Sequence, residues 1–228
     1  MTVDGDIAYG TRTSVWWRGL RGAVQSAEST GDRRDSMRRM PTMRMFVAVV
    51  PPAEVLDDLA RFLEPRRDAD GPLRWAPPEQ WHITLAFMSS VRERSLDGLV
   101  QRLGRAAARR SPVALRLVGG GAFPTVESAR VLWVGTPIDV AGDLTRLAEG
   151  ARSAANKAGA NVARARFRPH VTVARLRIPG DVTGWLRVLE PYAGPPWTAH
   201  EISLVQSHLG EGVGGRPRHE TVASLPVG

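Results

Sequence analysis

Cysteine is absent from all 228 residues. The chain therefore forms no disulfide, builds no thiolate metal site and uses no thiol nucleophile. Lysine is nearly absent too: Lys157 is the only one, so arginine makes up almost all of the 31 basic residues. No apolar run approaches the roughly 18 residues that a membrane-crossing helix needs, and no signal-peptide pattern opens the chain. These absences lead to the expectation of a cytoplasmic protein with no membrane partner. What is present fits a globular chain: 43% hydrophobic and 24% charged residues, close to ordinary usage. The net charge of +8 favours polyanions such as RNA over basic partners. Arginine's planar fork suits phosphate, although a GC-rich coding bias produces the same excess.

Residues 1–42 mix Gly, Ser, Thr and charge ("STGDRRDSMRRMPT") without a sustained period. They read as a disordered extension, or as residues upstream of a natural start at Met43, with one domain over 43–228. From Met43 the pattern turns regular. "MRMFVAVV" predicts a buried strand, then a helix follows over about Pro52 to Glu64, and the proline-rich "RWAPPEQ" turns into the strand "WHITLAF". Ser95 stands at a helix N-cap ahead of Leu96, Leu99, Val100 and Leu103, an i, i+3, i+4, i+7 stripe. "VALRLV" (113–118) alternates as a strand, and "GGGAFP" is expected to break it. The order then recurs. "ARVLWVG" (129–135) is a strand, a helix spans about Val140 to Ala158, and "RPHVTVAR" (168–175) is a strand. A helix over about 181–189 carries Val182, Trp185, Leu186 and Leu189 on one face, and "EISLVQS" (201–207) is again a strand. Arg44 to His82 spans 38 residues and Arg130 to His170 spans 40, so the two halves indicate an internal duplication.

Each half holds one strand with a polar face that packing does not need. Alternation places Trp81, Ile83, Leu85 and Phe87 on one face of "WHITLAF", and His82, Thr84 and Ala86 on the other. In "HVTV", His170 and Thr172 likewise oppose Val171 and Val173. If the halves pack about a two-fold axis, two imidazoles and two hydroxyls line one cleft. That set suits opening of a cyclic phosphodiester. One histidine protonates the departing oxygen and the other takes a proton from water, since an imidazole serves either role near neutral pH. The hydroxyls donate to non-bridging phosphoryl oxygens.

H-x-T alone is a weak signal. A third copy, "HET" at His219 to Thr221, has Glu220 in place of an apolar residue and no counterpart in the repeat, so it falls outside the expected site. His200 and His208 lack a threonine at +2 and read as surface residues. Arg130 and Arg168 flank the paired strands, where they hold phosphate or remain solvated. Phe123 and Trp133 offer a base-stacking surface or belong to the core. The glycines at 119–121 lack the spacing of a phosphate-binding loop, and no metal-ligand spacing occurs.

The paired H-x-T-x motifs, with "MRMFVAVVPPAEV", "LRWAPPEQWHITLAFM", "ARVLWVGT", "FRPHVTVAR" and the closing "ETVASLPVG", resemble the two-histidine phosphoesterase superfamily in its bacterial RNA 2′,3′-cyclic phosphodiesterase branch (2′-5′ RNA ligase-like). The resemblance spans Met43 to Gly228. It implies an α+β bilobal duplicated fold with an antiparallel sheet and flanking helices in each lobe, and the cleft between them. It also implies metal-independent, cofactor-free opening of a 2′,3′-cyclic phosphate at an RNA 3′ end to a 2′-phosphate. By the same resemblance His82 is the general acid, His170 the general base, and Thr84 and Thr172 hold the phosphate. After the first motif many relatives carry a glycine-acid turn where this chain has "MSSV" (Met88 to Val91), so the resemblance does not assign the contacts on the cleft rim. A monomer is expected. Two other enzyme readings keep the same site: a phosphodiesterase of small cyclic nucleotides, and reversible 2′-5′ RNA ligation. A reading of another class is a non-catalytic RNA-binding module.

Overall fold

In a computed structural model, residues 42–67, 72–137, 141–164 and 166–228 are described. The extension expected over residues 1–42 lies outside them except at Thr42, where the first strand begins. The described residues form one compact unit.

Strand β1 (Thr42–Val49) is buried from Met45 onward on both faces. Its apolar run permits this, and its position between two other strands requires it. Helix α1 (Ala53–Arg67) and the short β2 (Leu73–Trp75) follow, then β3 (Ile83–Arg92), α2 (Leu96–Ala107), β4 (Val113–Leu115), β5 (Val118–Phe123) and β6 (Ala129–Gly135). The order continues with α3 (Ala141–Lys157), the two-residue β7 (Asn161–Val162), β8 (His170–Gly180) and α4 (Thr183–Leu189), and closes with β9 (Trp197–Ala199), β10 (Glu201–His208) and β11 (Arg218–Pro226). The helices expected from sequence form where the apolar stripes placed them, with Leu99, Leu103, Val182 and Leu189 buried. Ser95 occupies the N-cap position of α2, but its side chain makes no cap hydrogen bond, because a single 3₁₀ turn over Glu93–Ser95 leads into the helix.

The fold is α+β, with strands in the order β11-β10-β1-β3-β8-β6-β5, β2 alongside β8, β7 alongside β3, and β4-β9 as a separate pair. These strand pairings are all antiparallel. The first lobe is built on β11, β10, β1 and β3, the second on β8, β6 and β5. The halves are interleaved rather than side by side. β10, from the second half, pairs with β1, while β5, from the first half, pairs with β6. α3 covers β3, and α1 lies beside Tyr192 just beyond α4, with Phe62 at 4.7 Å from the Tyr192 ring and the Tyr192 hydroxyl donating to Asp58 at 3.0 Å.

One expectation from sequence fails here: the glycine run does not end a strand but forms β5. Its glycines are there for close approach. A Cβ on Gly121 would lie 2.1 Å from the Trp133 indole, and one on Gly120 would lie 2.5 Å from the Leu189 side chain. The bare backbone lets an indole lie against it at one position and α4 approach it at the next. Gly121→Val is accordingly expected to cost about 1–3 kcal/mol or more by overpacking, read as a lowered denaturation midpoint. Trp133→Leu in the same chain should recover part of the loss.

Candidate active site

Strands β3 and β8 are joined at one residue pair, Ile83 opposite Val171. These positions are 88 residues apart, as are His82 and His170, so residues equivalent in the duplication face each other and mark the pseudo-two-fold axis. Carrying the antiparallel register one residue either way sets His82 opposite Thr172, and His170 opposite Thr84. Same-row side chains in an antiparallel pair share a face. Each imidazole thus sits beside the hydroxyl of the other half. The four residues singled out in the sequence are brought together, all partly buried.

The duplication extends to the backbone. In β3, Thr84 pairs with Ala48 and Ala86 with Val47, leaving Leu85 as an extra residue. In β8, Thr172 pairs with Trp133 and Ala174 with Leu132, leaving Val173 extra. A β-bulge follows each H-x-T, and a bulge exchanges the faces beyond it. Simple alternation therefore fails after Thr84. Ala86 and Met88 enter the core, whereas Phe87 turns to the histidine side and joins Phe46, Ala48 and Val205. The matching bulge in β8 turns Arg175 to the same side.

Both imidazoles are anchored alike. His82 Nδ1 lies 2.7 Å from the Gln80 carbonyl oxygen, and His170 Nδ1 lies 2.7 Å from that of Arg168. A carbonyl only accepts, so each Nδ1 carries the proton and each Nε2 is left for chemistry. Rings fix the imidazole planes. Phe46 stacks on His82 at 4.5 Å and 17°. Phe123 meets His170 edge-on at 5.0 Å, with Trp133 at 5.8 Å. Phe123 and Trp133 thus form a wall beside the second histidine. Arg168 supplies a carbonyl and a nearby charge, and Arg130 lies partly buried on β6.

Three residues join the site without having been expected from sequence. Arg175 bears on both H-x-T histidines, His82 and His170, through its charge. Arg44 lies with its guanidinium 4.4 Å over the Phe87 ring, and its charge bears on Arg175. His219, on β11, lies 5.5 Å from His82 and 5.0 Å from Phe46, ring to ring. Among the described residues no carboxylate pairs with Arg44 or Arg175. His200 is exposed as expected, whereas His208 is partly buried and pairs with Glu211 and Glu220. Among the described residues no three His, Asp or Glu side chains are grouped to hold a metal ion.

Burial lowers the His82 pKa to about 4, with His219, His170 and Arg175 adding repulsion and the Gln80 hydrogen bond opposing. Burial also lowers that of His170, opposed by its hydrogen bond and reinforced by Arg175 and Arg168, and that of His219, reinforced by Arg44. A bound phosphate anion offsets that repulsion and restores the protonated form of an adjacent imidazole. Without such an anion the sign runs against stability in acid. Above the unfolded value near 6.5 these histidines are neutral in both states. As pH falls from 6.5 toward 4, the unfolded chain takes up protons that the folded chain refuses, so stability falls. The expected slope is at most about 1.4 kcal/mol per pH unit for each histidine. Denaturant midpoints at pH 7 and pH 5 test this, and His82→Gln should flatten part of the difference.

Similarity to known proteins agrees with this arrangement. The family model for LigT-like phosphoesterases matches twice, over residues 49–133 and 134–214, one histidine motif in each match. An RNA 2′,3′-cyclic phosphodiesterase of Thermus thermophilus is 32% identical over 175 residues, covering 73% of this chain and 83% of that one. One from Geobacillus stearothermophilus is 28% identical over 193 residues, covering 82% of this chain but 58% of the longer relative. The crystal structure of the Thermus thermophilus protein TT0787 superposes with a TM-score of 0.64 at 28% identity, covering 81% of this chain and 98% of that one. No helix among the described residues is long and apolar enough to cross a membrane.

Proposed function

Since the chain belongs to the family of LigT-like phosphoesterases, we propose that it opens 2′,3′-cyclic phosphates at RNA 3′ ends and leaves a 2′-phosphate. The observation that carries this reading is the mirrored pair of imidazoles. Each is held through Nδ1 by the carbonyl two residues before it, and each is set beside the other half's threonine.

In this reading the cyclic phosphate sits across the pseudo-two-fold axis. His170 Nε2 takes a proton from water as the water oxygen attacks phosphorus. The bond from phosphorus to the 3′ oxygen breaks, and protonated His82 gives its Nε2 proton to that oxygen, leaving a 3′-hydroxyl and a 2′-phosphomonoester. Net proton count is conserved, with His170 ending protonated and His82 neutral until solvent exchanges the two. Thr84 and Thr172 donate to the non-bridging oxygens, hydrogen bonds to charged groups that contribute roughly 1.5–3 kcal/mol each. Arg175 and Arg44 supply fixed positive charge where negative charge builds on phosphorus oxygens. The net charge of +8 raises the local concentration of an RNA end.

The test is incubation with an RNA oligonucleotide ending in a 2′,3′-cyclic phosphate, in excess EDTA, with the product identified by ³¹P NMR. Conversion to the 2′-phosphate at an undiminished rate is expected, because imidazoles supply both proton transfers. A 3′-phosphate product, or strict dependence on an added divalent ion, would contradict the assignment.

A further inference from the structure

The two catalytic-motif histidines are equivalent in register, anchoring and bulge, yet the proposed reaction gives them unequal tasks. The cleft itself is not symmetric. The second lobe ends at β5, and its histidine faces the Phe123 and Trp133 wall. The first lobe carries one strand more, β11 beyond β10, whose register sets His219 opposite Ser207. This places a third imidazole on the His82 side alone.

His219 differs from its neighbours in how its nitrogens are used. His82 and His170 each commit Nδ1 to a backbone carbonyl. Among the described residues neither ring nitrogen of His219 takes part in a hydrogen bond or an ion pair, although the residue is partly buried. Its contacts are through ring edges, to Phe46 at 5.0 Å and 71° and to His82 at 5.5 Å and 75°. The residue keeps both nitrogens accessible to solvent, so either can meet a ligand. Here it lies next to the group that delivers the proton, within the field of Arg44. Phe46 is itself buried beneath His82, so a ligand on this side meets the His219 ring and the Arg44 guanidinium rather than the phenyl.

Resting on the reading given above, we propose that His219 is a substrate-binding residue that hydrogen-bonds the sugar-phosphate of the terminal nucleotide on the His82 side. The departing 3′ oxygen is attached to the ribose, so the nucleotide body must lie where His82 reaches that oxygen. His219 is the imidazole next to that position, and it has no equivalent beside His170. It thereby gives the cleft a direction: the ribose lies toward β11, and the attacking water lies toward β8 and the aromatic wall.

His219→Phe keeps a ring against Phe46 and His82 and removes both nitrogens, and His219→Asn restores a donor without the ring. On an RNA oligonucleotide ending in a 2′,3′-cyclic phosphate, His219→Phe should raise KM by about 10- to 100-fold, the worth of a hydrogen bond to a charged group. Its kcat should stay within a few-fold and its melting temperature should be unchanged. His219→Asn should recover part of the KM. The second readout is calorimetric titration with adenosine 2′-phosphate, which needs no turnover. His219→Phe should bind it at least ten-fold more weakly than the parent does. If the parent fails to open the cyclic phosphate, the functional reading is at fault and the titration still decides the role of His219. Equal KM and equal 2′-phosphate affinity in parent and His219→Phe would overturn the inference. So would a loss confined to melting temperature.

Discussion

His82→Ala and His170→Ala are each expected to lower kcat by about 10²–10⁴, the usual worth of a positioned proton-transfer group. Each removes one end of the proton path and leaves the threonines and arginines in place. Because the proposed mechanism has both histidines act in one transition state, the double variant should fall well short of the product of the two losses. Stability should change little, since the imidazoles are only partly buried while Ile83, Leu85, Val171 and Val173 fill the core. Leu85→Ala is the contrasting control, expected to cost about 2–5 kcal/mol of stability as a buried truncation. Histidine variants that unfold, yet keep their specific activity per folded molecule, would make the polar face structural.

Arg175→Ala is expected to lower kcat by about 10²–10³, the size of effect seen when one preorganised donor to a developing oxyanion is lost. Arg175 faces the site because of the bulge at Val173, and its charge bears on both motif histidines. Arg175→Lys should recover only part of the rate, since a point charge does not reproduce the guanidinium fork. Removing this cation should also raise the pKa values of His82 and His170, seen by NMR titration of their ring protons. A rate within a few-fold of the parent, with the imidazole titrations unmoved, would take Arg175 out of the site.

The residues that carry the proposed chemistry were legible in the sequence because strand alternation and the repeat both hold up to Thr84 and Thr172. Beyond those two threonines the same period misleads. Alternation assigns Phe87 to the core with Ile83 and Leu85, and Arg175 to the face of Val171 and Val173, and the bulges at Leu85 and Val173 reverse both. A bulge of apolar residues among apolar residues leaves no mark that period-counting detects. The coincidence of an unusual H-x-T-x-A in both halves was the available hint. His219 was hidden for another reason. It reaches His82 through the pairings of β11 with β10 and of β10 with β1, and β10 comes from the opposite half of the repeat. Its place therefore depends on the exchange of strands between lobes, which register within one half does not reveal. The glycine run misled by composition: read as a break, it is a strand whose missing side chains make room for Trp133 and Leu189.

The division of labour between His82 and His170 is tested most directly by the pH dependence of kcat/KM on an RNA 2′,3′-cyclic phosphate, measured in the parent and in each single alanine variant. A bell is expected for the parent, since one imidazole must be neutral and the other protonated. His170→Ala should lose the limb that rises with pH, because that limb reports the base being freed of its proton. His82→Ala should lose the limb that falls at higher pH, because that limb reports the acid being emptied. If both variants keep the full bell of the parent at reduced height, the limbs belong to other groups and the paired-histidine account is wrong.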